Sequence, residues 1–245
     1  MLDFKNKNIL IYDFETDGFS HTYNRPIQVA VLKILPDGNW YTYDSLIKRR
    51  KDAKRLDRIV INQKELDENP EAEIKTIASL TGITDEQIEK DGYEIEDVFK
   101  NLHELFNDGK NIIVGHNIVK FDNRFLNHRL NKYGYPSIPV GICYDTAGQL
   151  KAEKLGLVKY DSQTWEEFHN GALNVRMKGL TYNMGAALEH YEIVERKERH
   201  KADVDVEYTY YVFLKQLERL GIINNLAGNN EFKHLYQVLE DLELI

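Results

Sequence analysis

The stretch Ile9-Leu10-Ile11-Tyr12-Asp13-Phe14-Glu15-Thr16-Asp17-Gly18 decides the fold. Its first half is a short apolar run of β-branched and aromatic residues, the pattern of a buried strand. Its second half puts carboxylates at Asp13 and Glu15. Side chains two apart on a strand share a face, so the two acids stand together at the end of a buried strand. That arrangement is costly through repulsion and lost hydration. It makes sense if a hard divalent cation sits between them, because such ions take oxygen ligands. Two solvated acids at an exposed strand end would read the same way, so the rest of the chain must decide.

Working outward, Thr16-Asp17-Gly18 is a turn, and Phe19 follows as an aromatic with no obvious apolar partner. Residues 25–35 hold a second strand, apolar on both faces, which belongs inside a sheet. Pro36-Asp37-Gly38 is a strong turn signal, and residues 40–47 alternate as a hairpin partner would. Residues 71–80 read as helical. Thr84-Asp85-Glu86-Gln87 fits a capping box that starts another short helix. Ile95, Val98, Phe99, Leu102, Leu105 and Phe106 follow helical spacing, so residues 95–107 form an amphipathic helix. Ile112-Ile113-Val114-Gly115 is a short buried strand, expected parallel to an earlier one.

A helix begins near Asp122, where a carboxylate favours the helix dipole, with Gly134 as its C′ residue. Asp145-Thr146 opens a helix to about Lys154. Residues 157–178 show no clear period and read as an insertion, a lid or a substrate-side hairpin. Residues 179–191 form an amphipathic helix. His200 lies on the loop before a helix that runs to about Leu220, with Asp205, Thr209, Val212, Gln216 and Leu220 on one stripe. If that stripe faces inward, an acid near its start is expensive unless a cation accompanies it. Residues 221–245 are a turn and one more helix, over about 232–242.

Composition bounds the function. The chain has 245 residues, 42% hydrophobic and 29% charged, an ordinary globular balance that suits one α/β domain. No apolar run approaches a membrane span, and the polar first residues are unlike a signal peptide. The single cysteine, Cys143, excludes an internal disulfide and a thiolate zinc cluster. An intracellular, cytoplasmic protein without a membrane partner is expected. The net charge of −8 argues against a generic nucleic-acid binder. One segment runs the other way: residues 48–58 carry seven basic side chains against two acidic ones. That run reads either as a solvated loop or as a phosphate-contacting strip.

Three acid-bearing segments, in this order, resemble the DnaQ-like (DEDD) family of 3′→5′ exonucleases. The first is Asp13-Phe14-Glu15-Thr16-Asp17-Gly18, with Pro26-Ile27-Gln28-Val29-Ala30 downstream. The second is His116-Asn117 through Phe121-Asp122, followed by Phe125-Leu126. The third is His200 with Asp205, the H-x4-D pattern of the histidine subgroup. Thr81-Gly82-Ile83-Thr84 and Tyr144-Asp145-Thr146 are further landmarks, and the resemblance runs from about residue 8 to about residue 215. Two features depart from the commonest pattern. Three residues separate Asn117 from Phe121, one more than in the usual proofreading-subunit form and closer to the exonuclease domains of family-B polymerases. Those use a tyrosine in the third motif, where this chain has Arg199 and Lys201, so the histidine subgroup stands. The basic run and the 157–178 segment are the second departure, and they bear on substrate identity.

The resemblance implies an α/β, ribonuclease-H-like fold: a central mixed sheet flanked by helices, the first three strands antiparallel. On this reading residues 1–245 are one exonuclease domain, with a basic segment at 48–58, an insertion at 157–178 and a C-terminal helical extension at 221–245. It implies two Mg²⁺ or Mn²⁺ ions per site. Asp13, Glu15 and Asp205 would hold the ion that activates water, and Asp13 with Asp122 the ion at the leaving oxygen. His200 would be the general base. Phe14, Thr16, Phe19 and Asn117 would contact substrate, Phe19 as a wedge against the terminal base. The implied activity is hydrolysis of single-stranded DNA from its 3′ end to 5′-mononucleotides, with short RNA or RNA 3′ ends as the alternative. A non-catalytic, polymerase-associated binding module on the same fold is the rival of a different class. Single-stranded 3′ ends are the expected partner and a DNA polymerase is a further one; oligomeric state is not legible.

Overall fold

The computed structural model describes residues 6–58, 75–139, 141–197, 201–223 and 233–244. Five strands, β1 (Asn8–Thr16), β2 (Pro26–Ile34), β3 (Trp40–Leu46), β4 (Asn111–Gly115) and β5 (Cys143–Asp145), form one mixed sheet in the order β3-β2-β1-β4-β5. β1, β2 and β3 pair antiparallel, as the turn signals predict. β4 lies parallel to β1, and β5 parallel to β4. β5 is only three residues long and carries no periodicity, so the sequence gives no sign of it as a strand.

Alternation along β1 sorts the two faces of the sheet. Ile9 and Ile11 join Leu32 and Val114 in a core covered by helices α5 (Thr146–Lys154), α7 (Met184–His190), α8 (Ala202–Arg219) and α9 (Lys233–Asp241). Leu10, Tyr12 and Phe14 face the other way, against α3 (Ile95–Phe106) and α4 (Asp122–Lys132). Helices α1 (Ile77–Thr81) and α2 (Asp85–Asp91) form a smaller core with Ile27. The expected capping box is present at α2: Thr84 accepts from the Gln87 N–H, and the Gln87 side chain accepts from the Thr84 N–H.

Three expectations need correction. Residues 157–178 are not an aperiodic hairpin: α6 (Trp165–Asn174) occupies their middle. Thr164 caps it with Glu167, and Phe168, His169, Ala172 and Leu173 are buried. The helix docks so closely on α5 that a Cβ at Gly148 would stand 2.5 Å from His169 Cβ. The 179–191 helix starts only at Met184, because the Asn183 side chain accepts from the Ala186 N–H and caps it there. The helix read over 71–80 is described only as α1, where Thr76 and Ser79 form the capping box; residues 71–74 lie outside the described residues.

The C-terminal helix α9 has a structural role that the sequence did not disclose. Leu235, Val238 and Leu239 join the α8 core, and the Tyr210 hydroxyl donates to the Leu235 carbonyl at 2.7 Å. The basic run resolves unevenly. Arg49 is buried between Asp17 (3.2 Å) and Asp85 (2.6 Å), while Arg50 and Arg55 pair with Asp52 and Asp57 at the surface.

Candidate active site

β1 outlasts its parallel neighbour. Its pairing with β4 ends at Ile11↔Val114, whereas its pairing with β2 continues to Thr16. β4 must turn away at Gly115, and only glycine permits the turn: a Cβ there would meet Ile118 Cγ2 at 2.0 Å. The departure opens a crevice at the carboxyl end of β1, the usual place for a site in an α/β sheet. The Phe14 N–H has lost its strand neighbour and donates instead to Asp122 Oδ1 at 3.2 Å. Asp122 is thereby fixed, buried, at the first residue of α4, close enough for its charge to act on Asp13.

Asp13 and Glu15 lie on the face of β1 that packs on α8, since they share the alternation of Ile9 and Ile11. Asp205 stands in the first turn of α8. Oxygen atoms of Asp13, Glu15 and Asp205 all come within 4.8 Å of one another, and all three residues are half-buried. The inward stripe expected on α8 is present, with Thr209, Val212 and Gln216 buried; Leu220, at its end, is 40% exposed.

The electrostatics follow. Burial, with Asp13 and Asp205 beside it, pushes the Glu15 carboxyl up to about 9. Burial pushes Asp122 up to about 8 against the opposing hydrogen bond from Phe14, with Asp145 and Glu15 adding repulsion. Asp13 is raised well above the carboxylate range by burial, Asp122 and Asp205. Among the described residues no lysine or arginine pairs with Asp13, Glu15 or Asp122. A donor set made only of carboxylate oxygens suits a hard divalent cation.

The family model described as Exonuclease (RNase_T) matches residues 10–213. The chain belongs to the DnaQ-like exonuclease family. A DNA polymerase III PolC-type of Oceanobacillus iheyensis is 29% identical to this chain over 225 residues, 90% of this chain and 12% of the relative. The chain therefore spans about an eighth of that polymerase's length. E. coli Exonuclease I in complex with a dT13 oligonucleotide shares the fold, with a TM-score of 0.58 and 18% identity over 96% of this chain and 43% of its own. The zinc-bound form of the E. coli Exonuclease I–ssDNA complex gives 0.60 and 17%, over 95% and 43%.

The other sequence-derived residues fall as follows. Phe14 is buried and offers its backbone to Asp122. The Thr16 hydroxyl donates to the Gly18 carbonyl at 2.8 Å. Phe19 is 90% exposed, its ring 6.4 Å from that of Phe121. Asn117 adopts a left-handed φ of 66° beside the Tyr182 segment. His200 lies outside the described residues.

Two organising residues went unassigned in the sequence. Asp145 is fully buried and its carboxylate accepts from the N–H groups of Asn117 (3.0 Å), Val119 (2.9 Å) and Gly148 (2.9 Å). It therefore holds the loop into α4 and caps α5 at once. Burial outweighs those bonds and raises its carboxyl to about 6. His116 spans the same region: the Thr146 hydroxyl bonds its Nδ1 at 2.9 Å, and its Nε2 donates to the Tyr182 carbonyl at 3.0 Å. Burial lowers its pKa to about 4, so the ring is a neutral brace. A signal for Asp145 existed in Tyr144-Asp145-Thr146, where an acid precedes a helix as N-caps do.

Proposed function

We propose that this chain is a metal-dependent 3′→5′ exonuclease that releases mononucleoside 5′-phosphates from single-stranded DNA ends. The observation that carries the reading is the convergence of Asp13, Glu15 and Asp205 at the crevice where Asp122 begins α4. Asp13, Glu15 and Asp205 would hold one divalent cation, and Asp13 with Asp122 a second. Bound there, two Mg²⁺ or Mn²⁺ ions would supply electrostatic stabilisation to the entering and leaving oxygens of a phosphodiester. His200 serves as general base, since an imidazole in water has a pKa of about 6.5, suited to proton abstraction near neutrality. The exposed ring of Phe19 stacks on the terminal base, while Thr16, Asn117 and the backbone at Phe14 line the approach. The oligonucleotide in the Exonuclease I relative supports a single-stranded DNA substrate. The PolC-type relative supports a place beside a DNA polymerase.

Digestion of matched linear DNA, linear RNA and circular single-stranded DNA, with and without Mg²⁺, tests this. Stepwise loss of mononucleotides from the 3′ end of linear DNA is expected, only with Mg²⁺ present. Rapid cutting of the circle would make the enzyme an endonuclease, and faster digestion of RNA would move the substrate to RNA ends.

The raised carboxyls give a separate expectation. In the ion-free protein Glu15 and Asp122 keep protons that the unfolded chain releases near an ordinary carboxylate pKa of about 4. The folded state then binds more protons than the unfolded state, so stability falls as pH rises through the folded values of about 8 and about 9. Mg²⁺ competes with those protons, so the increase in melting temperature that it causes should grow from about pH 6 to about pH 9. Thermal melts at several pH values check this; an increase that is the same at every pH contradicts it.

A further inference from the structure

A second concavity, of about 330 Å³, lies between the β1–β2 loop and residues 49–58. Arg25, Arg49, Arg50, Lys54 and Arg58 line it. Arg49 is held by Asp17 and Asp85, and Arg50 by Asp52. The remaining three cations are not neutralised in this way among the described residues. The Arg25 and Lys54 side chains have no hydrogen bond or ion pair there, and Arg58 bonds only the Asp17 carbonyl, at 3.0 Å. Among the described residues, then, five cations line this hollow and the carboxylates on its wall are those of Asp17 and Asp52, in a protein whose net charge is −8.

Two more observations specify the ligand. Tyr23, 88% exposed, stands at the rim. A cationic groove edged by an exposed aromatic is the combination that binds single strands, charges taking phosphates and the ring taking a base. Asp17, on the wall of the hollow, is two residues beyond Glu15, so their Cα atoms are at most about 7 Å apart. Guanidinium groups match phosphate oxygens in geometry as well as charge.

We propose that this hollow seats an internucleotide phosphate upstream of the scissile bond, with Tyr23 stacked on an adjoining base. The proposal rests on the exonuclease reading and adds a substrate contact to it. It also replaces the idea of a uniform basic strip, since Arg49 is a structural ion pair and not a ligand.

The test uses a fluorescent single-stranded oligonucleotide, Ca²⁺ in place of Mg²⁺ to suppress cutting, and the double variant Arg25→Gln, Lys54→Gln. Neither side chain has an intramolecular partner among the described residues, so the variant should melt with the wild type. Its affinity should fall about tenfold, the scale of lost charged hydrogen bonds, and its salt slope should fall by about 1. Tyr23→Ala should also weaken binding about tenfold, with the salt slope unchanged. Replacing single phosphates by neutral methylphosphonates, one position at a time, locates the seat: one upstream position should weaken the wild type but not the double variant. If no position separates the two proteins, the seat does not exist. Competition by inorganic phosphate without any such position would make the hollow a free-anion site and overturn the strand contact. Wild-type protein that neither binds nor cuts the strand overturns the exonuclease reading as well; cutting that persists with unchanged affinity in the variant overturns the seat alone.

Discussion

Replacing Asp13 or Asp205 by alanine lowers nuclease turnover by at least about 10³-fold, the scale on which a preorganised electrostatic group acts. The expectation follows from the geometry. Both carboxylates belong to the cluster whose oxygens lie within 4.8 Å, and each is held by rigid backbone, Asp13 in the central strand and Asp205 in the first turn of α8. A chelator should abolish activity as fully as either substitution. Stability should move in the opposite direction in the ion-free protein, because removing one of several crowded acids relieves repulsion. His200→Ala supplies the contrast: rate is lost, but metal affinity measured by calorimetry is kept, since a base is not a ligand. Turnover that survives EDTA would falsify the metal-dependent reading, and a His200 variant as deficient in metal as Asp205→Ala would reverse the assignment of roles.

Asp145→Ala should cost about 3–9 kcal/mol of folding stability. Three N–H donors, on Asn117, Val119 and Gly148, lose one buried carboxylate, and each unpaired buried donor costs about 1–3 kcal/mol. That is a large part of the stability of an ordinary domain, about 5–15 kcal/mol. Asp145→Asn keeps an acceptor oxygen and should lose roughly half as much. Urea denaturation reads both as shifts of the midpoint. The folded fraction of Asp145→Ala should also turn over more slowly, because the loosened segment leads directly into Asp122. A variant that denatures at the wild-type midpoint would show that water replaces the carboxylate at no cost.

The parts of this protein legible in its sequence are those written in local patterns. The apolar run of β1 ending in Asp13 and Glu15 gave both the strand and the face of the acids. The Thr84 capping box and the stripe from Asp205 to Gln216 were local in the same way. What stayed hidden depends on residues far apart in the chain. Arg49 belongs to a charge run that looks solvated, yet it is buried by Asp17 and Asp85, 32 and 36 positions away. β5 is a strand only because β4 lies beside it. Helix α6 is a different kind of miss: Trp165, Phe168, His169, Ala172 and Leu173 do keep helical spacing, but Gly171 and the polar residues around them obscure it. The crevice itself could not be read, since it exists where two strands of unequal length part company.

Cys143 lies on that short strand, 2% exposed, with its thiol 3.6 Å from the Asn123 amide nitrogen. Burial also raises its pKa, so the reactive thiolate is scarce in the folded protein. As the chain has one cysteine, an alkylating reagent has a single target, and at 2% exposure that target should react slowly until the structure around it opens. Nature has therefore placed a reporter next to the acid that organises the crevice. The rate at which an added reagent marks the protein counts its openings around that strand, and substrate or metal that keeps the strand covered would show itself as a slower clock.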